Sequence, residues 1–205
     1  MTPRARKHRS YPLTSSARAE SVTSDLALFR RRLLRNPRQV SAIAPSSRTL
    51  ARAMTLGLGP ASGRIVEFGP GTGRFTEAIL ARGVRPQDLT LFELDAEFVG
   101  HLRAKFPGVN VHHGPAQDAA HLLAPGVSTV LSGLPLLSMP QGLRESIVAA
   151  AFAILAPRGR FVQFTYGGRP PLPPETILAL GLTVNKGPRV WANLPPATVY
   201  RFRRA

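Results

Sequence analysis

The segment Ile65–Gly73 decides the fold. It reads Ile-Val-Glu-Phe-Gly-Pro-Gly-Thr-Gly, a short and mostly apolar run followed by glycine at every second position. Such a run predicts a buried strand, and the alternating glycines let the backbone turn tightly and approach a ligand closely. The next segment, Arg74–Arg82, has apolar residues at helical spacing and is followed by Gly83, a common helix terminator. The sequence therefore predicts a strand, a glycine-rich turn and a helix.

Strands and helices alternate along the rest of the chain. The predicted strands are Ile65–Phe68, Leu89–Glu93, Val109–His113, Thr129–Ser132, Arg160–Thr165, Leu182–Lys186 and Ala197–Arg203. Asp95 is predicted to cap a helix, and a longer helix is predicted over Leu143–Leu155, terminated by Pro157 and Gly159. This alternation indicates an α/β fold with a mostly parallel sheet, whose ligands bind at the carboxyl ends of the strands.

The N-terminal quarter of the chain has a different composition. Of the 27 Lys and Arg residues, 12 fall within residues 1–52, together with two of the 11 acids, and the formal net charge of the whole chain is +16. A basic arm on a milder body indicates a polyanionic partner, either a nucleic acid or an anionic lipid surface. We expect a basic flexible tail over residues 1–21, basic amphipathic helices over 22–59, including one over Ser46–Leu56, and a ligand-binding domain over 60–205.

Two absences in the sequence exclude whole classes of protein. The chain has no cysteine, so it has no disulfides and no thiolate metal sites. It also has no apolar stretch near the roughly 20 residues that a membrane-spanning helix needs. His112 and His113 are adjacent in a predicted strand and so point to opposite faces, which argues against a metal site. We therefore expect no metal.

The residues around the glycine turn narrow the choice of ligand. Arg74 and Phe75 stand where a triphosphate-binding loop needs Lys and Ser or Thr, and Arg74 also replaces the third glycine of a dinucleotide fingerprint. A ligand without phosphate but with positive charge, S-adenosylmethionine, suits the acid Glu67. Glu93 ends the next strand, where it suits ribose hydroxyls, and Asp118 follows the third strand, where it suits an adenine amino group. Each acid alone could instead be a surface residue or a helix cap.

These acids and glycines, in this order and spacing, resemble the class I S-adenosylmethionine-dependent methyltransferases over residues 60–205. The resemblance implies a Rossmann-like, seven-stranded sheet with helices on both faces and an antiparallel last strand. It implies S-adenosyl-L-methionine as cofactor and S-adenosyl-L-homocysteine as product. The cofactor-binding residues that it implies are Glu67, Gly69, Pro70, Gly71, Thr72, Gly73, Glu93, Leu94, Ala116, Gln117, Asp118, Ser132, Gly133 and Leu134. Ser46 or Ser47 could contact the methionine end of the cofactor or simply cap a helix.

The segment Ser132–Leu137, at the end of the fourth predicted strand, indicates which molecule accepts the methyl group. Adenine-N6 methyltransferases place Asn or Asp, then Pro, then an aromatic residue at this point, and this chain has Ser132 and Leu136 instead. An apolar opening of this kind favours an aliphatic amine over a nucleobase. Longer strings, among them Arg35–Val40, Phe161–Gly167 and Val190–Ala197, resemble the bacterial phospholipid N-methyltransferases. That resemblance implies methylation of phosphatidylethanolamine and its mono- and dimethyl forms toward phosphatidylcholine.

Three residues are candidates for a catalytic role. An alkylammonium has a pKa near that of lysine, about 10.4, so the amine must lose a proton before it accepts a methyl group. Tyr166 could orient the amine or relay its proton, and Tyr11 could fold over the site from the N-terminal arm. Either tyrosine could instead be a packing residue. Ser132 is the third candidate, because it stands where related enzymes hold the acceptor.

Membrane contact is expected from basic side chains. The candidates for lipid binding are Arg30, Arg31, Arg32, Arg35, Arg38 and Arg169. With Leu and Phe on the other face, a helix around Leu26–Arg38 suits the interface of an anionic membrane. We expect a monomer at the cytoplasmic face of the cell membrane, with a phospholipid substrate and no nucleic acid. Two alternatives stay open: an RNA or DNA adenine-N6 methyltransferase, and a catalytically silent basic module that binds lipid or RNA.

Overall fold

The computed structural model describes residues 47–166 and 168–205. Several predictions fall on residues outside these ranges. They concern the tail over 1–21, most of the segment over 22–59, and the site candidates Tyr11, Ser46, Arg30, Arg31, Arg32, Arg35 and Arg38. The remaining predictions can be compared with the structure.

Six helices and seven strands make up the described part of the chain. The helices are α1 (Arg48–Met54), α2 (Arg74–Leu80), α3 (Ala96–Lys105), α4 (Ala119–Leu122), α5 (Gln141–Ile154) and α6 (Pro174–Ala179). The strands are β1 (Ile65–Phe68), β2 (Leu89–Glu93), β3 (Asn110–His113), β4 (Val127–Ser132), β5 (Leu155–Tyr166), β6 (Leu182–Val190) and β7 (Ala197–Arg204). The predicted alternation of strand and helix is confirmed.

The strands form one sheet in the order β3-β2-β1-β4-β5-β7-β6. The first five strands are parallel, and β7 runs antiparallel to both β5 and β6. The predicted Rossmann-like fold with a reversed last strand is therefore confirmed. Because β1 and β4 are neighbours although β2 and β3 lie between them in sequence, the order in which strands are added to the sheet reverses there, and the carboxyl ends of β1 and β4 flank the expected ligand crevice.

The start of β5 differs from the prediction. Helix α5 ends at Ile154, and the chain is already extended at Leu155, which pairs with Val127. Pro157 and Gly159 therefore do not terminate the helix; they lie inside the strand. The pairing of β4 with β5 is irregular between Val127 and Thr129, which accommodates residues 156–159 of β5 opposite a single residue of β4. Helix α6 was not predicted, because its sequence follows a run of prolines that favours a loop.

The core on one side of the sheet fixes the position of helices α1 and α2. Leu50 and Met54 of α1 and Phe75 and Ile79 of α2 are buried in one cluster with residues of β1, β2, β4, β5 and β7. The Ser47 side chain accepts a hydrogen bond from the Leu50 amide and so caps α1, one of the two roles predicted for it. Helices α1 and α2 therefore pack in the core on the same side of the sheet.

Candidate active site at the carboxyl edge of the sheet

The glycine turn after β1 is held against its neighbours by backbone hydrogen bonds. The Gly69 amide donates to the Phe92 carbonyl (3.0 Å), and the Gly133 amide donates to the Phe68 carbonyl (2.8 Å). The backbones approach so closely that a Cβ on Gly133 would lie 2.6 Å from the Gly69 carbonyl oxygen. The loops after β1, β2 and β4 therefore form one connected edge, and glycine is required where two of them meet.

Gly71 is the half-buried middle glycine of this turn. Its φ is +53°, and a Cβ there would meet no atom within 4 Å. Its amide donates to Glu93 Oε2 (3.0 Å). A side chain at this position would thus strain the backbone and project into the open space beside the turn. That space is where a ligand can approach the backbone closely.

Glu67 is completely buried beneath the turn. Its Oε2 accepts a hydrogen bond from the Thr76 hydroxyl of α2 (2.7 Å), and its Oε1 is buried with no hydrogen-bond partner in the described part of the chain. Burial raises the pKa of Glu67 to about 8; the bond from Thr76 opposes this rise and the charge of Glu93 adds to it. A cation placed nearby would lower this pKa and stabilise the ionised carboxylate.

Glu93 links the ends of β1 and β2. Its Oε1 accepts from the amides of Leu94 (2.8 Å) and Asp95 (3.0 Å), and its Oε2 accepts from Gly71. A carboxylate oxygen can accept two hydrogen bonds, so Oε2 keeps one acceptor position. Glu93 is thus oriented by three backbone amides and can still accept one hydroxyl. The Asp95 side chain caps α3, as predicted.

The loop after β3 brings Asp118 close to a histidine. Asp118 Oδ2 lies 3.6 Å from His112 Nε2, and the His112 ring packs on Phe92 with centroids 4.9 Å apart. Ala116 is buried, and Gln117 is half-buried. No group of three or more residues suited to a metal ion occurs within residues 47–166 and 168–205. The side chain of Asp118, still more than a third exposed, is available to a ligand at this end of the crevice.

The end of β4 is more closed than its sequence indicated. Ser132 is fully buried, and its hydroxyl accepts a hydrogen bond from the Leu134 amide (3.3 Å). Leu136 is also buried, so the expectation that it lines the opening is wrong; the short turn Leu136–Ser138 folds it inward. Leu134 is half-buried and Leu137 is exposed. The surface here is still aliphatic, but it is provided by different leucines.

Gln163 is a buried polar residue to which the sequence pattern assigned no role. Its amide nitrogen donates to the carbonyls of Leu134 (2.9 Å) and Phe164 (2.8 Å), while its Oε1 is buried without a partner among the described residues. It is paired in register with Ser132 of β4. Gln163 therefore fixes the loop after β4 from the neighbouring strand. The signal in the sequence that could have identified Gln163 is its position within the otherwise apolar run Phe161–Phe164.

Tyr166 and Ser47 meet through a residue that the sequence did not single out. Asn193 is buried; its Oδ1 accepts from the Ser47 amide (2.9 Å), and its amide nitrogen donates to the Pro195 carbonyl (2.8 Å). The Tyr166 hydroxyl is buried without a hydrogen bond of normal geometry. Burial raises the pKa of Tyr166, and the neighbouring Asn193 amide partly offsets the rise. Two predicted site residues, distant in sequence, are thereby brought to one place.

The remaining predicted residues differ in exposure. Pro70 is buried within the turn, and its carbonyl accepts from the Gly73 amide (2.9 Å). Thr72 is exposed, and its carbonyl accepts from Lys105. Arg169 is exposed beyond β5, and its backbone carbonyl accepts a hydrogen bond from the Thr165 hydroxyl (2.8 Å). The side chain of Arg169 makes no hydrogen bond or ion pair with residues in the described ranges, so its predicted role in lipid binding stays a prediction.

No protein-family profile matches the chain. A curated relative does match it: the ornithine lipid N-methyltransferase of Singulisphaera acidiphila is 30% identical over 149 residues, which is 69% of this chain and 78% of that protein. The chain belongs to the class I S-adenosylmethionine-dependent methyltransferases. S-adenosylmethionine is the cofactor of this methyltransferase, and methyl transfer is its reaction.

Two further comparisons bear on the methyltransferase. The ribosomal RNA small subunit methyltransferase A of Burkholderia ambifaria is 43% identical over 74 residues, but these are 34% of this chain and 27% of that protein. The structure of the Burkholderia thailandensis 1,6-didemethyltoxoflavin-N1-methyltransferase with S-adenosylhomocysteine covers 96% of this chain and 94% of its own, with a TM-score of 0.62 and 19% identity. The second likeness supports the fold alone.

The carboxyl edge of the enzyme suits the cofactor chemically. The unpartnered Oε1 of buried Glu67 can carry negative charge under the turn once a cation lowers the raised pKa of this carboxyl, and Gly71 leaves space above it. Glu93 retains an acceptor position for a hydroxyl. The charge of Glu93 adds to the raised pKa of Glu67, and a positive charge beside Glu67 would oppose that rise. A cationic nucleoside meets all three conditions.

Proposed function

We propose that this methyltransferase methylates the amine of an aminophospholipid at a membrane surface. The substrates would be phosphatidylethanolamine and its mono- and dimethyl forms, converted toward phosphatidylcholine at the cytoplasmic face of the membrane. The observation that carries the proposal is the match to a lipid N-methyltransferase over most of both chains. No helix within the described ranges is long and apolar enough to cross a bilayer.

The end of β4 supports an aliphatic amine as acceptor. Ser132 is occupied by the Leu134 amide and fully buried, so it offers no free polar group to orient a planar base. No aromatic side chain stands at Pro135–Leu137 to stack on one. A small headgroup amine needs only a narrow opening between half-buried and exposed leucines. The proposal therefore gives Ser132 a positioning role, through the β4 loop, in place of contact with the substrate.

The chain would hold both reactants with separate sets of residues. Glu67 and Glu93 would hold the cofactor, the first through its charge and the second through a hydroxyl. S-adenosylmethionine supplies, when bound, a methyl group on a cationic sulfur. Tyr166, whose raised pKa keeps its hydroxyl protonated at neutral pH, would accept a hydrogen bond from the neutral amine and orient its lone pair. Proximity and alignment in a partly dry site then contribute much of the rate.

A second candidate function is methylation of an adenine in ribosomal RNA. It is favoured by the 74-residue match to a ribosomal RNA methyltransferase and by the net charge of +16. The short coverage of that match counts against it, as does the loop after β4. The two candidates share the cofactor and differ in the acceptor, so one experiment separates them.

The test is a transfer assay with three acceptors. The full chain is incubated with methyl-labelled S-adenosylmethionine and, in separate tubes, vesicles containing phosphatidylethanolamine, vesicles containing ornithine lipid, and ribosomal RNA. We expect label in the phosphatidylethanolamine lipid, recovered as mono-, di- and trimethyl headgroups by mass spectrometry. The variant Glu67→Gln is the matched control and should label none of the three.

The other outcomes are equally decisive. Label in ornithine lipid alone would keep the lipid amine and correct the headgroup. Label in RNA alone would replace the proposal with the second candidate. Label in none of the three, with the cofactor still bound, would contradict both and would favour a silent binding module.

A further inference from the structure

We propose that the loop joining β6 to β7, residues 191–196, inserts into the membrane interface beside the active site. This inference rests on the proposed function, because it gives a lipid-methylating enzyme its contact with the bilayer. The structure places the loop at the carboxyl edge: Val190 and Tyr166 are both paired with Ala197 of β7. The loop therefore begins at the same edge of the sheet as the glycine turn and Tyr166.

The loop has the opposite orientation of side chains from an ordinary surface loop. Its sequence is Trp-Ala-Asn-Leu-Pro-Pro, and its single polar side chain, Asn193, is buried. Trp191 is 70% exposed and Leu194 is 81% exposed, with Ala192 and Pro195 exposed beside them. Surface loops ordinarily present polar groups to water and turn apolar groups inward. We call exposed Trp191 and Leu194 the apolar tip of this loop and buried Asn193 its polar anchor. An apolar tip that points outward needs an apolar environment.

The anchor connects the tip to the site. Asn193 is bonded to Ser47 at the start of α1 and to Pro195 within the loop, and it lies beside the Tyr166 hydroxyl. The apolar tip is thus held on the polar residues that we assign to the acceptor side. A loop fixed in this way would place the site opening at the depth of the lipid headgroups.

The residues around the tip suit the interface of an anionic bilayer. The Arg189 guanidinium lies over the Trp191 ring, 4.2 Å from its centroid, and Arg189 is itself exposed. Tryptophan is enriched at membrane interfaces, where its ring lies among the headgroups, and arginine attracts anionic lipid. Arg169 and Leu137 are exposed on the loops after β5 and β4, at the same edge. This pairing of apolar tip and basic rim favours a lipid surface over a protein groove or a nucleic acid.

The chain offers a direct probe of this proposal, because Trp191 is its only tryptophan. Tryptophan fluorescence of the unmodified full chain, excited at a wavelength that tyrosine does not absorb, therefore reports on the loop alone, whatever the basic N-terminal residues contribute to vesicle binding. We expect vesicles of phosphatidylethanolamine and an anionic phospholipid to shift the emission to shorter wavelength. We also expect lipids brominated on the acyl chains near the headgroup to quench it more than lipids brominated near the bilayer centre.

Variants then test whether the loop contributes to binding. Leu194→Ser should weaken partitioning onto these vesicles about tenfold, since an exposed leucine loses its transfer from water to lipid. Leu56→Ser is the matched control: Leu56 is also exposed, at 54%, but its carbonyl contacts Arg160 near the opposite edge of the sheet. This control should bind vesicles as the unmodified chain does. Both variants should keep cofactor affinity unchanged.

Three results would overturn the inference. Trp191 emission that stays unshifted and unquenched while the protein sediments with the vesicles would mean that other residues make the contact. Equal loss of vesicle binding in the two leucine variants would mean that the loop has no special role. Quenching by ribosomal RNA, with no response to vesicles, would assign the tip to base stacking instead.

Failure of the inference and failure of the proposed function give different results. Fluorescence and sedimentation need no catalysis, so an inserted loop can be established even if no lipid is methylated. Conversely, label in phosphatidylethanolamine with an unresponsive Trp191 would keep the function and remove the loop from the membrane.

Discussion

The two halves of the carboxyl edge differ in chemistry. The half formed by the ends of β1, β2 and β3 is acidic and tightly bonded: Glu93 is held by three backbone amides, and Glu67 is completely buried. The half formed by the ends of β4, β5 and β6 has no acid at its loops and ends in exposed Leu137, Trp191 and Leu194. The first half suits a cationic nucleoside, and the second half suits an aliphatic acceptor at a surface.

This difference shows which part of the chain carries information about the substrate. The acidic half contains the pattern that class I methyltransferases share, so it identifies the reaction and not the acceptor. The acceptor must be inferred from the other half, where this chain departs from adenine-methylating enzymes. If the two halves act independently, substitutions in each should affect one ligand and leave the other unchanged.

The largest expected effect is on the stability of the acidic half. The pKa of Glu67 is about 8 in the folded chain, against 4.5 for a free side chain, so the folded state binds more protons than the unfolded state between these values. The free energy of unfolding of the cofactor-free protein should therefore fall as pH rises, by about 3 kcal/mol between pH 5 and pH 8 from this group. Glu67→Gln should remove this slope in urea titrations; a slope unchanged by the substitution would contradict the raised pKa of Glu67.

The same substitution should weaken cofactor binding by roughly 100-fold, because it removes a buried negative charge and keeps the shape of the side chain. Isothermal titration calorimetry with S-adenosylmethionine measures this. The control is Glu77→Gln in α2, where a half-exposed carboxylate pairs with Arg74 and Lys105. Equal cofactor affinities in the two variants would mean that Glu67 does not contribute to cofactor binding.

Gly71→Ala should reduce cofactor affinity about tenfold, through backbone strain at positive φ and a methyl group in the ligand space. Gly63→Ala is its counterpart, since Gly63 also has positive φ (69°) and open space, but it precedes β1 at the opposite end of the strand. Both variants should lose similar stability in thermal melts. If Gly63→Ala also lost cofactor affinity, the effect would be one of folding and not of the site.

In the half formed by β4, β5 and β6, Tyr166→Phe should lower the methyl-transfer rate about fivefold and leave cofactor affinity unchanged. The reason is that only the substrate amine loses a hydrogen-bond partner. Tyr200→Phe is the comparison, since that hydroxyl is also buried without a partner in the described part of the chain, but it lies further along the sheet. Transfer assays at saturating cofactor measure both. A similar loss in the two variants would indicate packing and not chemistry.

The smallest effect is expected for Arg169→Ala. Arg169 is exposed and its side chain has no bonded partner among the described residues, so its attraction for a lipid phosphate is screened by water and salt. The KM for vesicle lipid should rise about twofold at low salt and not at all at high salt. A change in cofactor affinity would break the separation of the two halves.

The sequence was most informative where structure depends on local patterns. Strands β1 and β2 begin and end at the predicted residues, because short apolar runs bounded by turns have few other interpretations. The boundary of α5 and β5 was wrong, since Leu155 is apolar in either conformation and only its pairing with Val127 decides. The helix at α6 was missed for a similar reason, because its proline-rich lead does not distinguish a loop from a capped helix.

The half of the edge formed by β4, β5 and β6 was predicted less well than the acidic half. Asn193 joins Ser47 across 146 positions of sequence, and no spacing rule connects such residues. Leu136 was expected at the opening and is buried, because the turn after β4 sets its direction and the sequence does not specify that turn. The exposure of Trp191 and Leu194 was likewise invisible, since an apolar residue is as compatible with a core as with a surface.

The most direct test of this division is a crystal structure of the full chain with S-adenosylhomocysteine and phosphoethanolamine. We predict a ribose hydroxyl on Glu93, the adenine beside Ala116 and Asp118, and the ethanolamine nitrogen between the β4 loop and Tyr166. A nucleoside bound away from Glu67 and Glu93, or a headgroup bound on their side of the edge, would contradict the account.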